Sequence, residues 1–199
     1  MKAEVQHLSH SFRTDAAHLI IKARCANNPK ESPSLRTSYI AKLVVDAYMA
    51  CECALKSMIA ATSHDKSGAE VYATIRKCGH KLPLLMELAN PKSLNKNYKK
   101  FLEEASELGV SLRYSLDLFS LATCELIPND KEGFKNNEQF EKIDQTCLKT
   151  FLVIAKLLAD EADERHSATF GTEKSALRGQ PQRIKNNLVG FQKCKMNCC

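Results

Sequence analysis

The amino-acid sequence predicts an all-α protein: an up-and-down bundle of four to six helices followed by a flexible basic tail. Three observations predict it. Apolar residues recur at three- and four-residue steps through several stretches, the spacing of one helical face. No stretch alternates apolar and polar residues as a half-buried strand does, and no internal repeat is present. Seven glycines, six prolines and no tryptophan leave too few tight-turn signals for a β-sandwich.

The first helix is expected from about Glu4 to Ala26, with Leu8, Phe12, Leu19 and Ala23 among its apolar positions. The stretch NNPKESPS (27–34), with two prolines and several capping residues, breaks it. In the second helix Ile40, Leu43, Val44, Ala47, Cys51, Ala54, Leu55, Met58 and Ile59 follow one face, and TSHDKSG (62–68) ends it. A third helix starts near Ala69 and meets a break at Gly79. The chain re-enters a helix at KLPLLMELA, where Pro83 suits a first turn because its missing N–H has no partner there. Asn90-Pro91 stops that helix. A short helix from about Asn97 to Glu107 follows, then VSLRYSLDLFSLATCELI with Ser115 as a cap. After the polar loop 128–138, the last long helix carries Phe140, Ile143, Cys147, Phe151, Ile154 and Leu158. Periodicity fades from Ser167, which places a bundle over 1–164 and a tail over 165–199.

Charge divides the chain at the same place. Residues 1–164 carry 22 Lys and Arg against 22 Asp and Glu, whereas 165–199 carry seven basic residues against Glu173 alone. The net charge of +6 therefore lies in the tail, where Arg178, Arg183, Lys185, Lys193 and Lys195 are candidates for phosphate contacts with nucleic acid. The N-terminus has no continuous apolar segment of a secretory signal, and no apolar run reaches the ~20 residues of a membrane span. The expectation is a cytoplasmic protein. Its nine cysteines, an odd number with several on apolar helical faces, are expected as free thiols.

No cofactor and no metal is expected. Cys51 and Cys53 lie about 200° apart on a helix and cannot share an ion. Cys78 and His80 lack two further ligands at a familiar spacing, and CKMNCC (194–199) has no second cluster to complete a tetrahedron. The terminal Cys-Cys beside basic residues also resembles a prenylation pattern, ranked below a simple thiol-rich end. GxxxxGK[ST] and GxGxxG loops are absent. The acidic pairs and runs, Glu103-Glu104 and Asp160-Glu161 with Asp163-Glu164, are read as solvated helix faces. RTDAAH places Arg13 five residues before His18. An imidazole acting as general acid or base beside an arginine that stabilises phosphorane charge is the chemistry of metal-independent RNA cleavage. Five residues of regular helix turn the two side chains about 140° apart, so a solvated face is the more economical reading.

Three stretches resemble the HEPN family, the helical domains of prokaryotic toxins, defence proteins and partners of minimal nucleotidyltransferases. AYMACECALKSMIAA (47–61) is similar to the family's second helix, GHKLPLLMELA (79–89) to its GHDL segment, and LGVSLRYSLDLF (108–119) to its LRY segment. The likeness spans about 36–160. It implies a helical bundle, a homodimer, RNA or a nucleotide as ligand, and a nucleotidyltransferase or defence-system partner. It also implies that His80, Arg113 and Tyr114 line a ligand cleft. Active members of the family carry R-x4-6-H near the start of the last long helix. This chain departs from that: between Phe134 and Glu164 there is no histidine or arginine, and Arg165-His166 are adjacent. Two functional expectations follow. One is a HEPN-like protein that binds or acts on RNA or nucleotides in a toxin or anti-phage system, with Arg13 and His18 as catalytic candidates. The other is a non-catalytic helical dimerisation or partner-binding module. For His80 the structural expectation ranks first: Gly79 takes positive φ, and the ring caps or packs at the new helix start.

Overall fold

The computed structural model describes residues 2–25, 33–106 and 145–171. Six helices are described: α1 (Lys2–Cys25), α2 (Pro33–Thr62), α3 (Gly68–Cys78), α4 (Leu82–Ala89), α5 (Lys96–Ala105) and α6 (Gln145–Phe170). The protein is an all-α bundle, and the described residues contain no strand. None of the described helices is long and apolar enough to cross a membrane.

Helix α2 is the hub. It packs along α1 on one side and α6 on another, with α4 closing a third. Cross-contacts give the directions. Ser9 meets Ser57 and Lys22 meets Asp46, so α1 runs antiparallel to α2. Ser9 also meets His166 and Arg13 meets Asp163, so α1 is antiparallel to α6 as well. The Tyr48 and Phe151 rings, 6.1 Å apart, tie the parallel pair α2 and α6 together. Among the described residues Phe151 is the largest fully buried side chain, and Phe101 of α5 meets its ring edge-on at 4.9 Å. Around it lie Leu55, Met58, Leu82, Leu85, Leu102, Leu148, Ile154 and Leu158, none above 1 % exposed.

Local chemistry sets the breaks. Ser67 and Glu70 form a capping box at the start of α3, each side chain accepting from the other's backbone N–H. Gly68 lets that start press on α1: a Cβ there would lie 2.8 Å from Glu4 Cβ. Gly79 ends α3 at φ +58°, and Pro83 sits in the first turn of α4 as its missing N–H allows. Asn90 caps α4 in the left-handed region, and Asn95 caps α5 by accepting from the Tyr98 N–H at 2.9 Å.

The described elements correct the sequence reading at three points. Pro33 opens α2 instead of belonging to the break before it. Helix α6 runs to Phe170, so Arg165 and His166, expected in the tail, belong to the bundle and His166 is buried. Glu161, expected on a solvated face, is only 8 % exposed. The cysteine expectation meets four described residues: Cys51 and Cys78 are buried free thiols, Cys53 is buried and Cys147 is half-buried. Burial pushes the Cys51 thiol far up and the Cys78 thiol up, which keeps both protonated and inert.

Candidate functional site

The buried stripe of α1 is Val5, Ser9, Arg13, Ala16, Ile20 and Ala23. Its spacing is helical, but two of its members are polar. Of the apolar positions expected in this helix, Ala23 lies in the stripe, whereas Leu8, Phe12 and Leu19 lie beside it and are only partly buried. Ser9 and Arg13 thus enter the bundle with polar groups that must find partners.

Helix α6 supplies them. The Arg13 guanidinium pairs with the Asp163 carboxylate through Nη1 and donates from Nη2 to His10 Nδ1 at 3.1 Å. Its Nε is buried and has no acceptor. His166 Nδ1 lies 3.0 Å from Ser9 Oγ, and its ring is 6.1 Å from that of His10 and 5.0 Å from that of Phe170. Ser57 of α2 donates its hydroxyl to the Ser9 carbonyl at 2.9 Å, and its Oγ stands 3.2 Å from Ser9 Oγ. A cavity of about 260 Å³ opens where these groups meet, lined by Gln6, His7, His10, Arg13 and His166 with Ala3 and Gly171 at its edge. Three imidazoles and a buried guanidinium converge on it. Such a set can hold an anion and move protons near neutral pH.

The residues expected from sequence scatter. Arg13 lines this cavity, whereas His18 is exposed on another side of α1, as the helical turn between them requires. His80 lies elsewhere. Its Nδ1 stands 2.9 and 3.1 Å from the two oxygens of Glu52, a carboxylate only 1 % exposed that also receives the Lys56 ammonium at 2.6 Å. Lys56 in turn sits 5.8 Å over the Phe12 ring, and Tyr48 donates its hydroxyl to the His80 carbonyl at 2.7 Å. The ring therefore ties the Gly79 turn to α2. Arg113, Tyr114 and the tail residues Arg178, Arg183, Lys185, Lys193 and Lys195 lie outside the described residues.

A larger hollow of about 890 Å³ lies between α6 and the α4–α5 connection, but its charged groups hold the fold together. Glu161 accepts from the Lys92 N–H at 3.0 Å and the Ser93 N–H at 2.8 Å, and Arg165 bridges Glu161 to the carbonyls of Ala89 and Asn90. Burial alone pushes the Glu161 carboxyl up. The Lys92 and Ser93 N–H groups and Arg165 outweigh it and hold the group at about 2, against an ordinary 4.5. Among the described residues no three His, Cys, Asp or Glu side chains come together as a metal site.

His10, His166, Asp163 and the Ser9–Ser57 pair were missed by sequence reasoning. One signal for them was present: HSFR puts His10 and Arg13 three apart, on adjacent positions of one helix face. His166 gave no such signal, because its partners come from α1. Compared with protein-family models, curated proteins and solved structures, the chain matches none.

Proposed function

We propose that this chain is a HEPN-like protein that binds RNA by seating a phosphate in the histidine-lined cavity between α1 and α6. His10 and His166 line that cavity beside Arg13. The observation that carries the reading is the Arg13 guanidinium: it is 7 % exposed, it lines the cavity, and its Nε donor is unused. A guanidinium at the wall of a small cavity favours an anion there, since charge-assisted hydrogen bonds to phosphate are the strong ones. The His166 imidazole beside the Arg13 guanidinium also suits metal-independent phosphodiester cleavage, one group to move a proton and one to stabilise the developing charge. The toxin or defence setting comes from the resemblance of the sequence motifs.

The test is binding and cleavage of a labelled RNA in EDTA by the purified protein, beside Arg13→Gln and His166→Gln. The expected result is binding by the wild type that weakens tenfold or more in Arg13→Gln, by the loss of about 1.4 kcal/mol or more. Equal binding by Arg13→Gln would sink the assignment of this cavity. Cleavage lost in His166→Gln would extend the reading from binding to catalysis.

A second reading, a helical dimerisation module, is supported by Leu84 and Leu88, exposed one turn apart on α4. Sedimentation of the wild type and of Leu84→Ser/Leu88→Ser checks it: a dimer that the double substitution leaves intact would refute it.

A further inference from the structure

The two cavity histidines differ in what their Nδ1 atoms can do. A guanidinium only donates, so its 3.1 Å contact makes His10 Nδ1 an acceptor and puts the His10 proton on Nε2. A second proton on His10 would have to sit on Nδ1, against Arg13. His166 faces a hydroxyl instead. Ser57 gives its one hydroxyl proton to the Ser9 carbonyl at 2.9 Å. Ser9 Oγ then has two acceptors at 3.2 Å, the Ser57 carbonyl and Ser57 Oγ, and a third direction toward His166 Nδ1 at 3.0 Å. With the Ser9 proton on the Ser57 side, Ser9 Oγ receives a His166 Nδ1–H. With it turned round, Ser9 donates to an unprotonated Nδ1. Either way each hydrogen in the chain of contacts has an acceptor.

We propose that the cavity takes up its phosphate together with one proton from solvent, which settles on His166. This rests on the cavity being a phosphate site. The charges nearby favour it. From α1, His7, His10 and Arg13 face the cavity; from α6, Asp163 lies one turn before His166; α2 presents the Ser57 hydroxyl. Asp163 offsets the charge of Arg13, so an entering dianion meets a site with no net charge. A proton on His166 supplies the missing positive charge, and the Ser9 hydroxyl turns to receive it. Ser9 and Ser57 are positioning residues, and His166 is the group that charges.

Inorganic sulfate is the probe, because it stays a dianion through the window of about pH 5 to 8 in which imidazoles change charge. Sulfate is titrated into the full chain, with affinity and the histidine ring NMR signals read together. Expected is a wild-type affinity that falls about tenfold per pH unit on the alkaline side of its midpoint, the slope of one linked proton. Sulfate added near pH 7.5 should also move the His166 ring signal toward its protonated position. The slope should vanish in His166→Gln and persist in His10→Gln. Binding of equal strength across the window, or a slope lost in His10→Gln instead, overturns the proton coupling and leaves the phosphate site standing. No sulfate binding at any pH overturns both. Should His166→Gln fail to fold, the wild-type ring signal decides alone: a signal unmoved by bound sulfate refutes the inference.

Discussion

Arg13 reaches one turn back along α1 and donates to His10 Nδ1 at 3.1 Å while its other terminal nitrogen holds Asp163 of α6. One planar group thereby fixes the proton position of a histidine and closes two helices onto each other. Lysine cannot do both, since its ammonium is a point donor without a rigid fork. Arg13→Lys should therefore keep the charge yet weaken anion binding about tenfold, with a stability loss of about 1 kcal/mol. Sulfate titration and urea unfolding of the pair check this; unchanged binding would mean that charge alone is needed.

Glu161 should govern the acid limb of stability. Its carboxyl titrates at about 2 in the folded chain and near 4.5 when unfolded, so the folded state holds its charge more firmly. A depressed carboxyl contributes stability that is present above about 4.5 and is lost as pH falls toward 2. Glu161→Gln should cost about 1–3 kcal/mol at neutral pH and flatten the stability curve below pH 4.5. Urea midpoints measured across that range would show it. Parallel curves for wild type and variant would refute the assignment.

Glu52 and Lys56 form a pair one turn apart on α2, 1 % and 13 % exposed, with His80 on the same carboxylate. Removing one partner of such a pair leaves the other charge without compensation. Glu52→Gln should destabilise by about 3 kcal/mol, and Glu52→Leu/Lys56→Met should regain most of it. Denaturant unfolding of Glu52→Leu, Lys56→Met and the double variant forms the cycle; additive losses would show that the two charges do not depend on each other.

Much of the bundle was legible because its signals are local. The α2 face from Ile40 to Ile59 repeats at helical spacing, and Gly79, Pro83 and Asn90 punctuate the chain by backbone constraints that each residue carries itself. The candidate site was less legible because its logic is non-local. Ser9 and Arg13 interrupt an apolar stripe, so the neighbouring Leu8 and Phe12 look like the better inward face. His166 acquires meaning from Ser9, 157 residues away, and Glu161 from two N–H groups 68 and 69 residues away. A run such as DEADE reads as solvated until the loop that binds one of its members is in place.

Positive φ at two positions separates two kinds of turn. Asn90 lies at φ 44°, ψ 62°, a conformation asparagine tolerates, whereas Gly79 lies at φ 58°, ψ −123°, outside that region. Asn90→Gly should be nearly neutral. Gly79→Asn and Gly79→Ala should both cost about 1–3 kcal/mol, since a Cβ meets no atom there and the penalty is conformational alone. Thermal unfolding of the three variants tests this. An asparagine that rescues position 79 would contradict the backbone geometry.

The basic residues after Gly171 give the last prediction. Five of them, Arg178, Arg183, Lys185, Lys193 and Lys195, are candidates for phosphate contacts, in contrast to a neutral body. Each contact to a single strand contributes about 0.7 to the slope of log affinity against log salt. A chain ending at Gly171 should therefore bind RNA with a slope shallower by about 3 to 4 if all five engage. Gly171 borders the cavity, so the shortened chain carries a C-terminal amide that keeps a new carboxylate out of it, and sulfate affinity should stay the same. RNA titrations from low to high salt on both chains separate the two contributions. A truncated chain with the same slope would confine RNA recognition to the bundle, and the charge asymmetry would need another explanation.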